Sequence, residues 1–180
     1  NHPLIADEDY IGGSGKFETV LSNIENVVNE GHKILVFSSF VTHLKLFSDA
    51  LKERNTMFSM LTGASTNRKK IIEGFQNDPD NNVFLISLKA GGVGLNLTSA
   101  DYVFILDPWW NPAAELQALS RAHRIGQDKN VFVYRYITSG TLEEKIVRLQ
   151  EKKSRLAESF VATSNPLRDI DMKEILEIIE

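Results

Sequence analysis

Five short apolar runs constrain this chain more than any other feature: Lys33–Phe37, Met57–Leu61, Val83–Ser87, Tyr102–Leu106 and Val131–Tyr136. Most are near-continuous rather than alternating, which requires both faces of each strand to be covered. Segments of helical period separate most of them. Between Lys16 and Asn29 the apolar positions Phe17, Val20, Leu21, Ile24, Val27 and Val28 fall on one helix, which Gly31 ends. Leu44, Leu46, Phe47, Ala50 and Leu51 lie on a second helix, and Asn67–Gln76 forms a third. Strands alternating with helices predict a doubly wound parallel sheet of five or six strands, a three-layer α/β sandwich. With 180 residues and 42% hydrophobic content, one substantial core is attainable.

The ends read differently. Residues 1–15 lack a clear period, contain Gly12, Gly13, Ser14 and Gly15, and are expected to be a linker. Residues 16–140 hold the expected sheet domain. Beyond it, Thr141-Leu-Glu-Glu caps a long polar helix running to about Phe160. A loop at Ser164-Asn165-Pro166 and a short acidic helix from Met172 to Ile179 complete a C-terminal helical extension, residues 141–180.

Composition narrows the function classes. There are no cysteines, so disulfides and thiolate metal sites are excluded, and the four scattered histidines show no ligand spacing. No metal site is expected. No apolar run approaches the length of a membrane span, so no membrane partner is expected either. The net charge of −4 argues against a surface that embraces nucleic acid everywhere, but carboxylates concentrate at Asp169–Glu180 while Arg68-Lys69-Lys70 and Lys89 sit in the body.

Unusual residues collect after the apolar runs, where ligands of open parallel sheets bind. Phe37 leads into Ser38-Ser39, Leu61 into Thr62-Gly63, Ser87 into Leu88-Lys89 and a glycine cluster, and Leu106 into Asp107-Pro108-Trp109-Trp110. Hydroxyls, glycine amides and a lysine on one rim can grip a phosphate backbone without reading sequence. An exposed tryptophan there can stack on a base. Next comes a helix with Asn111 as N-cap, Pro112 at its first position and Gly126 as stop. Its Gln117, Arg121 and Arg124 are four and three residues apart and share a face. Guanidinium forks so placed suit phosphate oxygens; the alternative is a solvated face with ordinary ion pairs.

Nothing in the chain holds a nucleotide by itself. Gly13-Ser-Gly-Lys16 is not a phosphate loop, because Phe17 stands where a magnesium-binding hydroxyl belongs and no strand precedes it. Gly91-Gly92-Val-Gly94 is not a dinucleotide fingerprint, since Leu97 replaces the third glycine. No acidic strand-end motif suits magnesium. Phosphate-seeking arginines without a cradle describe half of a site.

These residues resemble the C-terminal RecA-like lobe of Swi/Snf-type ATPases, within helicase superfamily two. The likeness runs through Asn1-His2-Pro3-Leu4, Ile34–Ser39, Leu61-Thr62-Gly63 with Arg68 and Phe75, and Ser87–Asp101. It continues through Asp107-Pro-Trp-Trp-Asn-Pro112, Gln117–Gln127 and Thr141–Leu149. Ser39 departs from the family, which more often has Gln there. The resemblance implies a RecA-like fold, with Arg121 and Arg124 as arginine fingers reaching ATP across a cleft. It implies that Gly92, Gly94, Asn96 and Gln127 lie near the nucleotide. Ser38, Ser39, Thr62, Gly63, Ser87, Lys89, Trp110, Asn111 and Gln117 would meet the tracked DNA.

ATP with Mg2+ would be held mainly by an N-terminal RecA-like lobe of the same polypeptide, so this chain alone is expected to be inactive. Duplex DNA is the expected partner, with a DNA-bound protein complex as remodelling substrate. The rivals are an RNA-helicase lobe, a non-catalytic adaptor of the same fold, and a dinucleotide-dependent enzyme; the last fails on the missing fingerprint. The compact lobe and acidic end favour a bacterial, cytoplasmic protein, with a nuclear one expected if the source is eukaryotic.

Overall fold

Each apolar run forms a strand near its expected bounds. The computed structural model describes Pro3 and residues 12–90, 97–109 and 130–162, with side chains described through residue 155. The strands are β1 Ile34–Ser38, β2 Phe58–Leu61, β3 Val83–Ser87, β4 Tyr102–Ile105 and β5 Phe132–Arg135. The helices are α1 Gly15–Asn29, α2 Val41–Glu53, α3 Arg68–Asn77 and α4 Leu142–Ala162. The strands pair in parallel in the order β2-β3-β1-β4-β5. Two compact units divide the chain, Asn1–Ile137 with the whole sheet and Thr138–Glu180 with α4.

The sheet separates two apolar layers. On one face Val20, Leu21 and Ile24 of α1 and Leu44, Phe47 and Leu51 of α2 pack with Ile34, Val36, Val83, Leu85 and Phe104. On the other, Phe75 of α3 packs with Leu35, Phe37, Phe84, Ile86, Val103 and Ile105. Odd and even positions of one strand thus serve opposite layers, which is why β1 and β3 are apolar up to their closing serines and wholly buried.

Strand β5 differs. Among the described strands it forms one edge of the sheet, and Phe132, Val133 and Tyr134 are each nearly half exposed. At the other edge of the sheet β2 is half-buried, with Leu61 wholly buried.

Helix ends follow local chemistry. Gly31, at φ 78°, closes α1 in a Schellman turn: His32 N–H donates to the Val27 carbonyl at 3.1 Å and Gly31 N–H to that of Val28 at 3.0 Å. Asn55, at φ 54°, closes α2 in the same way through Thr56 N–H to Leu51 and Asn55 N–H to Lys52. At the start of α4, Thr141 Oγ1 accepts from Glu143 N–H at 3.2 Å. The carboxylates of Glu143 and Glu144 accept from the N–H groups of Thr138 and Gly140, a variant of the expected capping box.

Candidate nucleic-acid interface at the carboxyl ends of the strands

Parallel pairing brings the expected rim residues to one edge of the sheet. Ser38 of β1 lies beside Ser87 of β3, and Leu61 of β2 beside Ile86, so Thr62 follows next to Ser87. Phe37 lies beside Ile105, which places Leu106 and Asp107 past the end of β4 next to Ser38 and Ser39. Leu88 N–H donates to the Ser38 carbonyl at 3.0 Å, and Leu106 N–H to that of Phe37 at 2.9 Å. These bonds carry the pairing beyond the regular strands.

The rim residues divide by exposure. Ser38 and Ser87 are 0% and 2% exposed. Their hydroxyls build the turns: Ser38 Oγ donates to Asp107 Oδ1 at 2.6 Å and accepts from Phe40 N–H at 3.1 Å. Ser87 Oγ accepts from Ala90 N–H at 3.3 Å. Ser39 and Thr62 are half-buried, whereas Gly63 and Lys89 are exposed. The Thr62–Ser65 turn is closed twice, by Thr62 N–H to Ser65 Oγ at 2.9 Å and by Ser65 N–H to the Thr62 carbonyl at 3.1 Å.

Two residues shape this rim beyond the set expected from sequence. Asp107 is 3% exposed, and its Oδ2 accepts from Ser39 N–H at 2.7 Å while Oδ1 holds the Ser38 hydroxyl. His43 Nδ1, also buried, stands 3.9 Å from Oδ1. Burial opposes ionisation of Asp107, yet the donors around it outweigh burial and hold its carboxyl below the ordinary range. Arg68 opens α3 and reaches across to donate from Nη2 to the Ala90 carbonyl at 2.8 Å, tying the Thr62 side of the rim to the Lys89 side. Its neighbours Lys69 and Lys70 are exposed on the first turn of α3, which carries no acidic residue, so they add charge to the positive end of the helix dipole. The sequence signal for Asp107 was a carboxylate directly after an apolar run; that for Arg68 was a basic triplet opening a helix.

The remaining expected site residues lie outside the described residues: Gly92, Gly94, Asn96, Trp110, Asn111, Gln117, Arg121, Arg124 and Gln127. So do the helix expected to carry the arginines, most of the expected linker and the acidic tail helix. Among the described residues no group of three or more His, Asp or Glu is placed to hold a metal ion, and no helix is long and apolar enough to cross a membrane. Two surface cavities, of about 350 and 260 Å³, include none of the expected rim residues.

A five-stranded parallel sheet sandwiched by helices, with Ser38, Thr62, Ser87 and Asp107 at its carboxyl ends, defines a RecA-like lobe. The helicase conserved C-terminal domain family matches residues 15–126. DNA repair protein rad8 of Schizosaccharomyces pombe is 48% identical over 128 residues, covering 70% of this chain and 11% of that protein. The DNA excision repair protein ERCC-6-like of Danio rerio is 41% identical over 180 residues, covering 98% of this chain and 12% of that protein. The solved Sulfolobus solfataricus SWI2/SNF2 ATPase C-terminal domain superposes with a TM-score of 0.69 at 34% identity, covering 99% of this chain and 75% of that one. The chain belongs to the helicase C-terminal domain family, as the C-terminal lobe of a Swi/Snf-type ATPase. It spans about a tenth of the length of these curated relatives.

The expectation of a bacterial, cytoplasmic protein is overturned. Relatives of this similarity come from fission yeast, zebrafish, Arabidopsis and human, which points to a eukaryotic source. Compactness and an acidic end carried no information on origin, because both follow from the fold and from surface charge.

Proposed function

We propose that this chain, with residues 16–140 as its motor lobe and residues 141–180 as a helical extension, is the second lobe of an ATP-dependent translocase on double-stranded DNA. It acts with an N-terminal RecA-like lobe of the same polypeptide and remodels DNA-bound protein complexes. With a eukaryotic source, a DNA substrate implies a nuclear location. The observation that carries the reading is the convergence of Ser38, Thr62, Ser87 and Asp107 on one edge of a parallel sheet, with exposed Gly63 and Lys89 among them. Such a rim offers amides and one cation to a phosphate backbone, contacts that carry no sequence information.

When bound, ATP would supply the phosphoryl group and Mg2+ would neutralise charge on it; among the described residues no cluster is placed to hold a metal ion. This chain's contribution is Arg121 and Arg124, whose guanidinium groups donate to oxygens on which negative charge builds. Gly92, Gly94, Asn96 and Gln127 border the nucleotide, while Ser39, Thr62, Gly63, Lys89, Trp110, Asn111 and Gln117 border the DNA. Ser38 and Ser87 act from beneath, through the turns their hydroxyls build.

ATP hydrolysis by the full-length protein tests the reading. Duplex DNA should stimulate it more than RNA of equal length. Arg124→Ala should lower kcat by about 10³-fold or more. Stimulation by RNA alone would favour the RNA-helicase rival, and no nucleic-acid dependence would sink the proposal.

A further inference from the structure

Resting on the DNA-rim reading above, we infer that Asp107 is a positioning residue that fixes the β1 side of the nucleic-acid rim and locks it to the segment following β4. Three bonds carry this. Asp107 Oδ1 takes the Ser38 hydroxyl at 2.6 Å, Oδ2 takes the Ser39 N–H at 2.7 Å, and the same Ser38 oxygen takes the Phe40 N–H at 3.1 Å. The whole Ser38-Ser39-Phe40 turn therefore hangs on one carboxylate supplied by a neighbouring strand. Ser38 Oγ also lies 3.3 Å from the Phe40 carbonyl, but its single proton goes to the closer, charged acceptor.

Asp107 itself begins the Asp107-Pro108-Trp109 segment, which leads directly to Trp110 and Asn111. One side chain thus connects two stretches of the rim that are 69 residues apart in sequence. The carboxylate does not touch the ligand: it is 3% exposed and both oxygens face protein donors. No Lys or Arg pairs with it among the described ion pairs, and the nearby His43 ring is at 3.9 Å. His43 and the hydroxyl and amide donors together hold the charge, so the geometry of the turn and the charge of Asp107 are linked.

The sign of the effect separates this role from simpler ones. Removing a negative charge beneath a phosphate-binding surface should, by Coulomb attraction alone, tighten DNA binding. Loss of a positioning residue should weaken it. The test measures, for the full-length protein, the duplex DNA concentration giving half-maximal ATPase stimulation, and its dependence on salt. Asp107→Asn should raise that concentration about tenfold, the worth of one or two rim hydrogen bonds. The salt slope should stay unchanged, because no phosphate-pairing cation is lost. Lys89→Ala serves as the direct-contact comparison, and should reduce the slope by about one.

The double variant Ser38→Ala/Asp107→Asn should be no weaker than Asp107→Asn alone, because both cut the same bond. A half-saturation that is unchanged or lower in Asp107→Asn overturns the inference, as does lost amplitude at constant half-saturation, which is what partial unfolding gives. If Asp107→Asn yields no folded protein, Ser38→Ala reads the clasp from its other side and should raise half-saturation about threefold; an unchanged value overturns the inference. If Lys89→Ala also leaves half-saturation and slope unchanged, the DNA-rim reading itself falls. A shift in Lys89→Ala without one in Asp107→Asn removes only the clasp.

Discussion

Lys33 leads into β1, as its run implies, and its side chain also closes a helix. Its Nζ donates to the carbonyls of Phe75 at 2.5 Å, Asp78 at 2.7 Å and Asn81 at 3.1 Å, and stands 4.9 Å from the Phe75 ring centroid. Carbonyls at the end of α3 lack partners within the helix, so a cation there satisfies several at once and opposes the negative end of the dipole. Burial lowers the pKa of this lysine, with Asp78 opposing the shift. Lys33→Met keeps the stem and deletes the donors; urea unfolding should show a loss of about 2 kcal/mol. Unchanged stability would mean that water satisfies these carbonyls equally well. Asp107 titrates in the opposite sense. Its folded pKa lies below the ordinary 3.8, so the unfolded chain binds its proton more readily. The stability it contributes is therefore complete above the unfolded value and is lost as pH falls through the folded one. Thermal melts of the wild type should fall more steeply over that acidic window than those of Asp107→Asn. Parallel curves would show that the carboxyl is not selectively stabilised in its charged form. Neither role was legible in the sequence, since each is defined by partners dozens of residues away.

At the scale of elements, local rules carried further. Period and apolar content located the described helices and the five strands, and Gly31 was recognised as a stop. Asn55 was not, because asparagine enters the left-handed region less distinctively than glycine; yet both close the same turn, at φ 54° and 78°. The pair makes a controlled comparison. A Cβ at Gly31 would meet nothing within 4 Å, so Gly31→Ala tests backbone strain alone and should cost about 1 kcal/mol in denaturant unfolding. Asn55→Gly should be tolerated without comparable loss, since glycine accepts the same φ more readily. Equal losses at the two positions would point to side-chain contacts rather than to φ. Strand β5 marks where pattern reasoning ran out. Its run reads as a strand despite Arg135, but Phe132, Val133 and Tyr134 are exposed, and sheet order is set by tertiary pairing.

At the scale of the whole molecule, the proposed function shares the chemistry between two lobes. The rim was legible because a parallel sheet sends every carboxyl end to one edge, so naming the strands also named the edge. What sequence could not show was that Ser38 and Ser87 turn inwards while Gly63 and Lys89 face out. An arginine finger lowers a barrier only for a phosphoryl group already held in line, and the sequence offers neither a phosphate loop nor an acidic magnesium motif to hold one. Residues 1–180 alone should therefore release no phosphate from ATP above background, with or without duplex DNA, while the full-length protein turns over. Turnover by the 180-residue chain that Arg124→Ala abolishes would overturn the division of labour, because it would place a complete site within a single lobe. Turnover that survives Arg124→Ala would instead identify a contaminating ATPase, since a finger removed from a genuine site cannot leave its rate intact.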